Sequence, residues 1–169
     1  YTGLNPRSTL SRIPEASRPD LRWYTVREHR AALAEIDIDI VSSGHDGPGA
    51  RWIKRVKPGD PVGLRFQTAP YGGAPDVGHH VLIADETGLP GVLGILSAHA
   101  AEPGRRFSVI VEVPSEDHVL PGTREAGITV VCRGDDDPGS ALAAELGRLQ
   151  LGQIDYGWVC AEAKTAALG

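Results

Sequence analysis

The chain has 169 residues, 41% of them hydrophobic, which suffices for a buried core in one large domain or two small ones. A net charge of −5 and a pI near 5.6 exclude broad recognition of nucleic acid or an anionic membrane, because such surfaces are bound by neutralising phosphate with Lys and Arg. No run approaches the roughly 20 apolar residues that cross a bilayer, and the opening YTGLNPRSTL has neither the basic start nor the apolar run of a signal peptide, so a cytoplasmic location is expected. Cys132 and Cys160 are too few for a disulfide framework or a zinc site and sit in apolar runs, where reduced, buried thiols are expected. The sequence contains no methionine, which implies a processed chain or part of a longer one.

In chain order, residues up to Arg22 are rich in Pro, Ser, Arg and Gly and read as loop. A strand is expected over Arg22 to Arg27. A second follows in Glu35 to Val41, where Ile36, Ile38 and Ile40 alternate with Asp37 and Asp39. A short helix is predicted from Ala50 to Val56, then a Lys57-Pro58-Gly59-Asp60 turn and a strand from Val62 to Phe66. This half reads as antiparallel β. Thr68 to Gly78, with glycines, prolines and few apolar anchors, marks a boundary between residues 1–75 and 76–169.

Beyond it the pattern changes. Val81 to Ala84 is a strand run, and Leu89, Val92, Leu93 and Leu96 follow at helical spacing with Pro90 near the start. Ser108 to Val113 and Ile128 to Cys132 are further strands. Asp137-Pro138 opens a helix carrying Leu142, Leu146 and Leu149 on one face, and Tyr156 to Cys160 is the last strand. Strands alternating with helices predict a parallel sheet, whose ligands sit beyond the carboxyl ends of the strands.

Three places could carry chemistry. Arg22 and Tyr24 share a face of the first strand, where a guanidinium can clamp a phosphate and a phenol ring can lie on an aromatic system, with the Thr25 hydroxyl beside them. The same stretch also fits an ordinary amphipathic strand. In Gly47-Pro48-Gly49-Ala50-Arg51 a helix start would aim the free amides of Gly49, Ala50 and Arg51 at one spot suited to a pyrophosphate, although a plain Gly-Pro turn has the same spacing. Asp85-Glu86-Thr87-Gly88 lies between strand and helix, where a doubly wound domain holds its nucleotide, but it lacks the full glycine-rich fingerprint. His79-His80 invites a metal reading. Adjacent strand residues face opposite ways and no histidine pair has His-x-x-x-His spacing, so no resident metal is expected. Asp135 to Asp137 reads as a solvated, helix-capping turn.

Taken in order, Arg-x-Tyr-Thr-x-Arg at Arg22, the Asp-rich strand at Asp37, Gly-Pro-x-x-x-Trp at Gly47, the Pro-Gly-Asp turn at Pro58, Asp-Glu-Thr-x-Leu-Pro at Asp85 and the aromatic-x-Trp strand at Tyr156 resemble the siderophore-interacting protein family, of the ferredoxin-reductase-like superfamily. The resemblance runs from about residue 22 to 168. It implies an antiparallel FAD-binding β-barrel followed by a small parallel-sheet nucleotide-binding domain. Arg22 would hold the FAD phosphates, Tyr24 would lie against the isoalloxazine and Thr25 near its reactive nitrogen, with Gly47, Gly49, Ala50 and Arg51 around the pyrophosphate. Asp85, Thr87 and Gly88 would face the flavin where NAD(P)H delivers hydride. The implied activity is reduction of a ferric siderophore, with electrons from NAD(P)H or a reduced ferredoxin and iron entering as cargo. A flavin- or siderophore-binding module with little turnover, or a general flavin or ferredoxin reductase, are the alternatives.

The chain departs from that pattern at Ser43, where relatives carry a histidine, at Gly88 and Gly91 in place of alanines, and at Cys160-Ala161-Glu162 in place of Ala-Gly-Glu. A methyl at Ala161 would crowd a nicotinamide, and Cys160 is a minor candidate beside that site. The family's first barrel strands and its closing Tyr-Trp-Arg segment are expected outside these 169 residues, and basic residues that grip the siderophore with them.

Overall fold

The computed structural model describes residues 6–42, 46–65, 71, 74–99 and 101–161. Ser43, Phe66, Glu162 and residues 68–70, 72 and 73 of the expected boundary loop lie outside them. A short helix α1 (Pro6–Leu10) precedes the antiparallel pair β1 (Val26–Arg30) and β2 (Glu35–Ile38), and α2 (Pro48–Ile53) follows. The second half runs β3 (Gly78–Ala84), α3 (Leu89–His99), β4 (Arg105–Val113), β5 (Thr129–Cys132), α4 (Ser140–Leu146) and β6 (Tyr156–Cys160).

β1 and β2 pair with Val26 opposite Ile38 and Arg30 opposite Glu35, and the register slips between Val26 and Glu28. That bulge sits at Arg27 and lets its guanidinium turn onto the partner strand. Arg27 Nε bonds Asp39 Oδ2 at 2.6 Å, and Arg30 forks onto both oxygens of Asp37 at 2.5 and 2.8 Å. The Asp37 carboxyl is held below its usual range, first by the Arg30 bond. The acidic side of the alternating strand is therefore an ion-pair ladder.

Several expected limits shift. Arg22 to Thr25 is a lead-in outside any strand, and β1 begins only at Val26; β2 ends at Ile38 rather than Val41. Residues 61–65 have no strand pairing, and among the described residues the antiparallel part is a two-stranded sheet rather than a closed barrel. An alternating pattern supplies a strand face, but a strand also requires a partner ladder.

The parallel sheet has the order β5-β4-β3-β6. β3 lies inside it, paired from Gly78↔Arg105 to Ala84↔Val111 on one side and from His80↔Tyr156 to Ala84↔Cys160 on the other. Its run Val81 to Ala84 is apolar on both faces because both are covered. Leu89, Val92, Ile95 and Leu96 of α3 pack with Leu82, Ala84, Val109, Val111 and Val113 into the core, each large side chain contributing about 1.5–3 kcal/mol. α3 also touches β1, and α4 packs on β4 and β5.

His79 and His80 point to opposite sides of β3 as expected: His79 bonds Ser108 and the Gln153 carbonyl, while His80 bonds the Tyr71 hydroxyl at 2.7 Å among Phe107 and Tyr156. The thiol expectation fails at Cys132. It ends the edge strand β5 and is exposed, and only Cys160 is part-covered. No helix among the described residues is long and apolar enough to cross a membrane.

Candidate functional site

Two of the sequence motifs meet. A Cβ placed on Gly49 would lie 2.0 Å from the Tyr24 hydroxyl oxygen and 3.8 Å from Arg22 Cγ, so Tyr24 rests on the first turn of α2 because residue 49 is glycine. Gly47 is the extended residue before the helix and Pro48 is its first residue, as expected, with open space around Gly47. Ala50 is buried beneath. The three-amide expectation needs one correction: Arg51 N donates to the Gly47 carbonyl at 3.0 Å, closing the helix's first turn. Gly49 and Ala50 are the residues whose amides precede that bond. The Arg51 side chain turns back to Asp46, bonding its carbonyl oxygen.

The arginines of the Arg-x-Tyr-Thr-x-Arg stretch differ in kind. Arg27 is engaged by Asp37 and Asp39. Arg22 is exposed, donates to its own Leu21 carbonyl at 2.6 Å and has no carboxylate partner among the described residues. Tyr24 is 42% exposed beside it. This is an accessible cation and an accessible aromatic face next to a helix start.

Thr25 belongs to a second contact. A Cβ on Gly91 of α3 would lie 3.1 Å from Trp158 Cη2 and 3.8 Å from Thr25 Oγ1, so the threonine hydroxyl, α3 and the indole on β6 converge at the seam between the two sheets.

Asp85, Thr87 and Gly88 lie beyond the carboxyl end of β3. The chain leaves β3 toward β4 on one side and returns as β6 on the other, which makes this the switch in strand order. Asp85 is buried; its Oδ1 accepts from Thr87 N at 2.8 Å, Thr87 Oγ1 at 2.6 Å and Gly88 N at 3.2 Å. A Cβ on Gly88 would approach the Cys160 carbonyl oxygen to 2.1 Å. The turn is thus ordered by its own acid and fits against β6 only with glycine. Thr87 is exposed at its mouth, and Ala161 follows β6 directly. Burial, then the Asp85 charge, push the Cys160 thiol up, which keeps it protonated.

The sequence reading missed a buried acid. Glu112 of β4 is fully buried, and its oxygens accept from Gly139 N at 2.7 Å and Leu142 N at 2.9 Å. It fills the start of α4, which begins at Ser140, three residues after the expected Asp137; the three aspartates before it are solvated but do not cap it. Arg133 reaches Glu112 at 3.5 Å and forks onto Glu86 at 2.8 and 2.9 Å. Burial alone would raise the Glu86 carboxyl, but the Arg133 bond and charge and a backbone bond together hold it low. The available signal was a glutamate inside an otherwise apolar parallel-strand run.

The fold and site define a two-part α/β protein in which an exposed Arg-Tyr-Thr stretch meets one helix start and lies at the seam with a doubly wound sheet. The chain belongs to the siderophore-interacting protein family: residues 3–72 match the siderophore-interacting FAD-binding domain and residues 77–168 match the siderophore-interacting protein domain. It is 30% identical over 122 residues to an uncharacterized protein of Mycobacterium tuberculosis, covering 72% of this chain and 43% of that one. To the ferric vibriobactin reductase ViuB of Vibrio cholerae it is 25% identical over 136 residues, covering 80% and 50%. The crystal structure of the siderophore-interacting protein SipS from Aeromonas hydrophila superposes with a TM-score of 0.70 at 24% identity, covering 91% of this chain and 61% of that one, a likeness of fold. The chain spans about half the length of the curated relatives it matches.

Proposed function

We propose that this chain supplies the flavin-holding and donor-facing parts of an FAD-dependent ferric-siderophore reductase, working in the cytoplasm, with β1 and β2 belonging to a flavin-binding β-barrel. The observation that carries the reading is the meeting of Arg22 and Tyr24 over Gly49. A tyrosine face, a guanidinium without a carboxylate partner among the described residues and a helix start with glycine in its first turn are the donor set an aromatic, pyrophosphate-bearing cofactor requires. The space that a Cβ at Gly49 would take is the space that lets them converge.

FAD, when bound, supplies the exchange between a two-electron donor and one-electron acceptors. Arg22 would hold its phosphates, Tyr24 would stack on the ring system, and Thr25, at the seam with α3 and Trp158, would hydrogen-bond the ring edge. Gly47, Gly49, Ala50 and Arg51 would border the pyrophosphate, with the Gly49 and Ala50 amides turned to it. Asp85, through its bonds to Thr87 and Gly88, would fix the shape of the turn that faces the flavin from the parallel sheet. Ferric iron in a siderophore is the substrate; one electron converts it to ferrous iron, which the siderophore releases. NAD(P)H or a reduced ferredoxin would supply electrons. The similarity to ferric vibriobactin reductase and the FAD-binding domain match support this reading.

The test is an anaerobic absorbance titration. Purified protein is mixed with FAD, then NADH or NADPH, then a ferric siderophore together with a ferrous chelator. A bound flavin band that bleaches with donor and returns with ferric siderophore is expected. Failure to bind FAD at micromolar concentration would overturn the reading.

A further inference from the structure

Tyr24 and Thr25 precede β1 and lie outside any strand, so contacts with other elements, rather than a ladder, set where their side chains lie. Each rests on a glycine of a helix. Tyr24 meets Gly49 of α2. Thr25 meets Gly91 of α3, where a Cβ would lie 3.8 Å from Thr25 Oγ1 and 3.1 Å from Trp158 Cη2. One seat thus comes from each half of the molecule, since α3 belongs to the parallel half and touches β1.

The two contacts at Gly91 differ in tightness. At 3.8 Å a methyl would sit in ordinary van der Waals contact with the threonine, whereas at 3.1 Å it would force the indole back by a few tenths of an ångström. The indole has little room to yield, because Trp158 stands opposite Leu82 in the sheet and packs against the core. The edge of a held indole and the Thr25 hydroxyl therefore share the space above residue 91, and the missing Cβ admits both. Gly94, three residues further along the same helix, has nothing within 4 Å of its Cβ position, so the close fit belongs to residue 91 and not to α3 as a whole.

We infer that Trp158, seated at Gly91, is a positioning residue for Thr25: through this indole the parallel half sets where the threonine hydroxyl is presented to a flavin ring. The inference rests on the reductase reading and gives that site a part made by the second half of the chain. A hydrogen bond weakens steeply once distance and angle leave their narrow range, so a displacement of a few tenths of an ångström at residue 91 reaches the flavin through Thr25.

The experiment measures FAD affinity and the visible flavin band of the FAD-loaded protein in variants that exchange bulk at this contact. Gly91→Ala places a methyl in a helix, where alanine is favoured over glycine, so folding should hold. FAD should weaken about fivefold, the worth of one hydrogen bond, and the band should shift. Trp158→Phe removes the far edge of the indole and should weaken FAD by about as much. In the double variant the methyl fills the place the indole edge leaves, and affinity should return to within about twofold of wild type. Gly94→Ala should move neither signal. In a Thr25→Ala background, itself about fivefold weaker, neither Gly91→Ala nor Trp158→Phe should add a further loss. Losses that persist in that background, no rescue in the double variant, or no response to Gly91→Ala or to Thr25→Ala overturn the inference, while FAD binding by the wild type leaves the reductase reading standing. Wild-type protein that does not bind FAD overturns both.

Discussion

The two halves of this molecule treat arginine in opposite ways. In the antiparallel half, Arg27 and Arg30 are spent on Asp37 and Asp39 while Arg22, a few residues earlier, is left exposed without a carboxylate among the described residues. In the parallel half, Arg124 and Arg133 at the carboxyl edge each carry a carboxylate, and the nearby turns and helix start are capped by Asp85 and Glu112. Arg22 keeps no carboxylate among the described residues, whereas at the carboxyl edge the guanidinium groups and the helix-start amides are met by acids of the same chain. A helix start or an arginine in a sequence therefore marks the capacity to hold an anion, and the surrounding acids decide whose anion it is.

The strongest way to break the closed half is Glu112→Ala. It would leave the Gly139 and Leu142 amides without the fully buried carboxylate that accepts from them, and the part-buried Arg133 with one carboxylate fewer. A loss of about 3–5 kcal/mol is expected in urea unfolding. A loss under about 1 kcal/mol would mean that α4 does not depend on this internal cap. Gly88→Ala comes next, because its Cβ would meet the Cys160 carbonyl, a backbone atom that cannot swing aside. About 1–3 kcal/mol of destabilisation is expected. Unchanged stability would show that β6 can shift away from the turn.

The open half is sharpened by comparing Arg22→Ala with Arg27→Ala. Arg22→Ala should weaken FAD by about tenfold or more, the worth of a charge-assisted bond, with little change in unfolding midpoint. Arg27→Ala should do the reverse, costing about 1 kcal/mol of stability through its part-exposed ion pairs while leaving FAD affinity close to wild type. Equal effects of the two on FAD would erase the distinction between a ligand-facing and a structural arginine.

Much of this division was legible in the residues. Tyr156 to Cys160 has the limits the pattern assigns, and the alternation of Ile with Asp from Glu35 located β2 and its ionic face. Arg22, Tyr24 and Gly49 were each visible as motif members, and their meeting follows from a chain that brings the lead-in of β1 over α2. What the sequence could not show was pairing. Val62 and Leu64 alternate like a strand, yet residues 61–65 have no ladder, and both side chains are exposed. Cys132 sits in a β-branched run, yet that run is an edge. The roles of Glu112 and Glu86 were not visible because their partners, Gly139, Leu142 and Arg133, are distant in sequence. Such contacts are set by sheet order, which local periodicity does not encode.

The smallest expected effect is a matter of pH. Glu86 is mostly covered, forks with Arg133, and has its folded-state pKa below the ordinary value of 4.5. A depressed folded pKa means that the unfolded chain takes up the proton first. The stabilisation is then fully present above the unfolded pKa and is lost as pH falls through the folded one. Glu86→Gln should therefore cost under about 2 kcal/mol at pH 7, a part-buried pair lying between exposed and buried cases. The difference from wild type should shrink as pH drops below the ordinary glutamate range. Unfolding midpoints measured from pH 7 to pH 3 would show the two curves converging toward acid. Curves that stay parallel would mean that Arg133 is held by Glu112 and the fold alone, and that the Glu86 charge adds nothing to the closure of this edge.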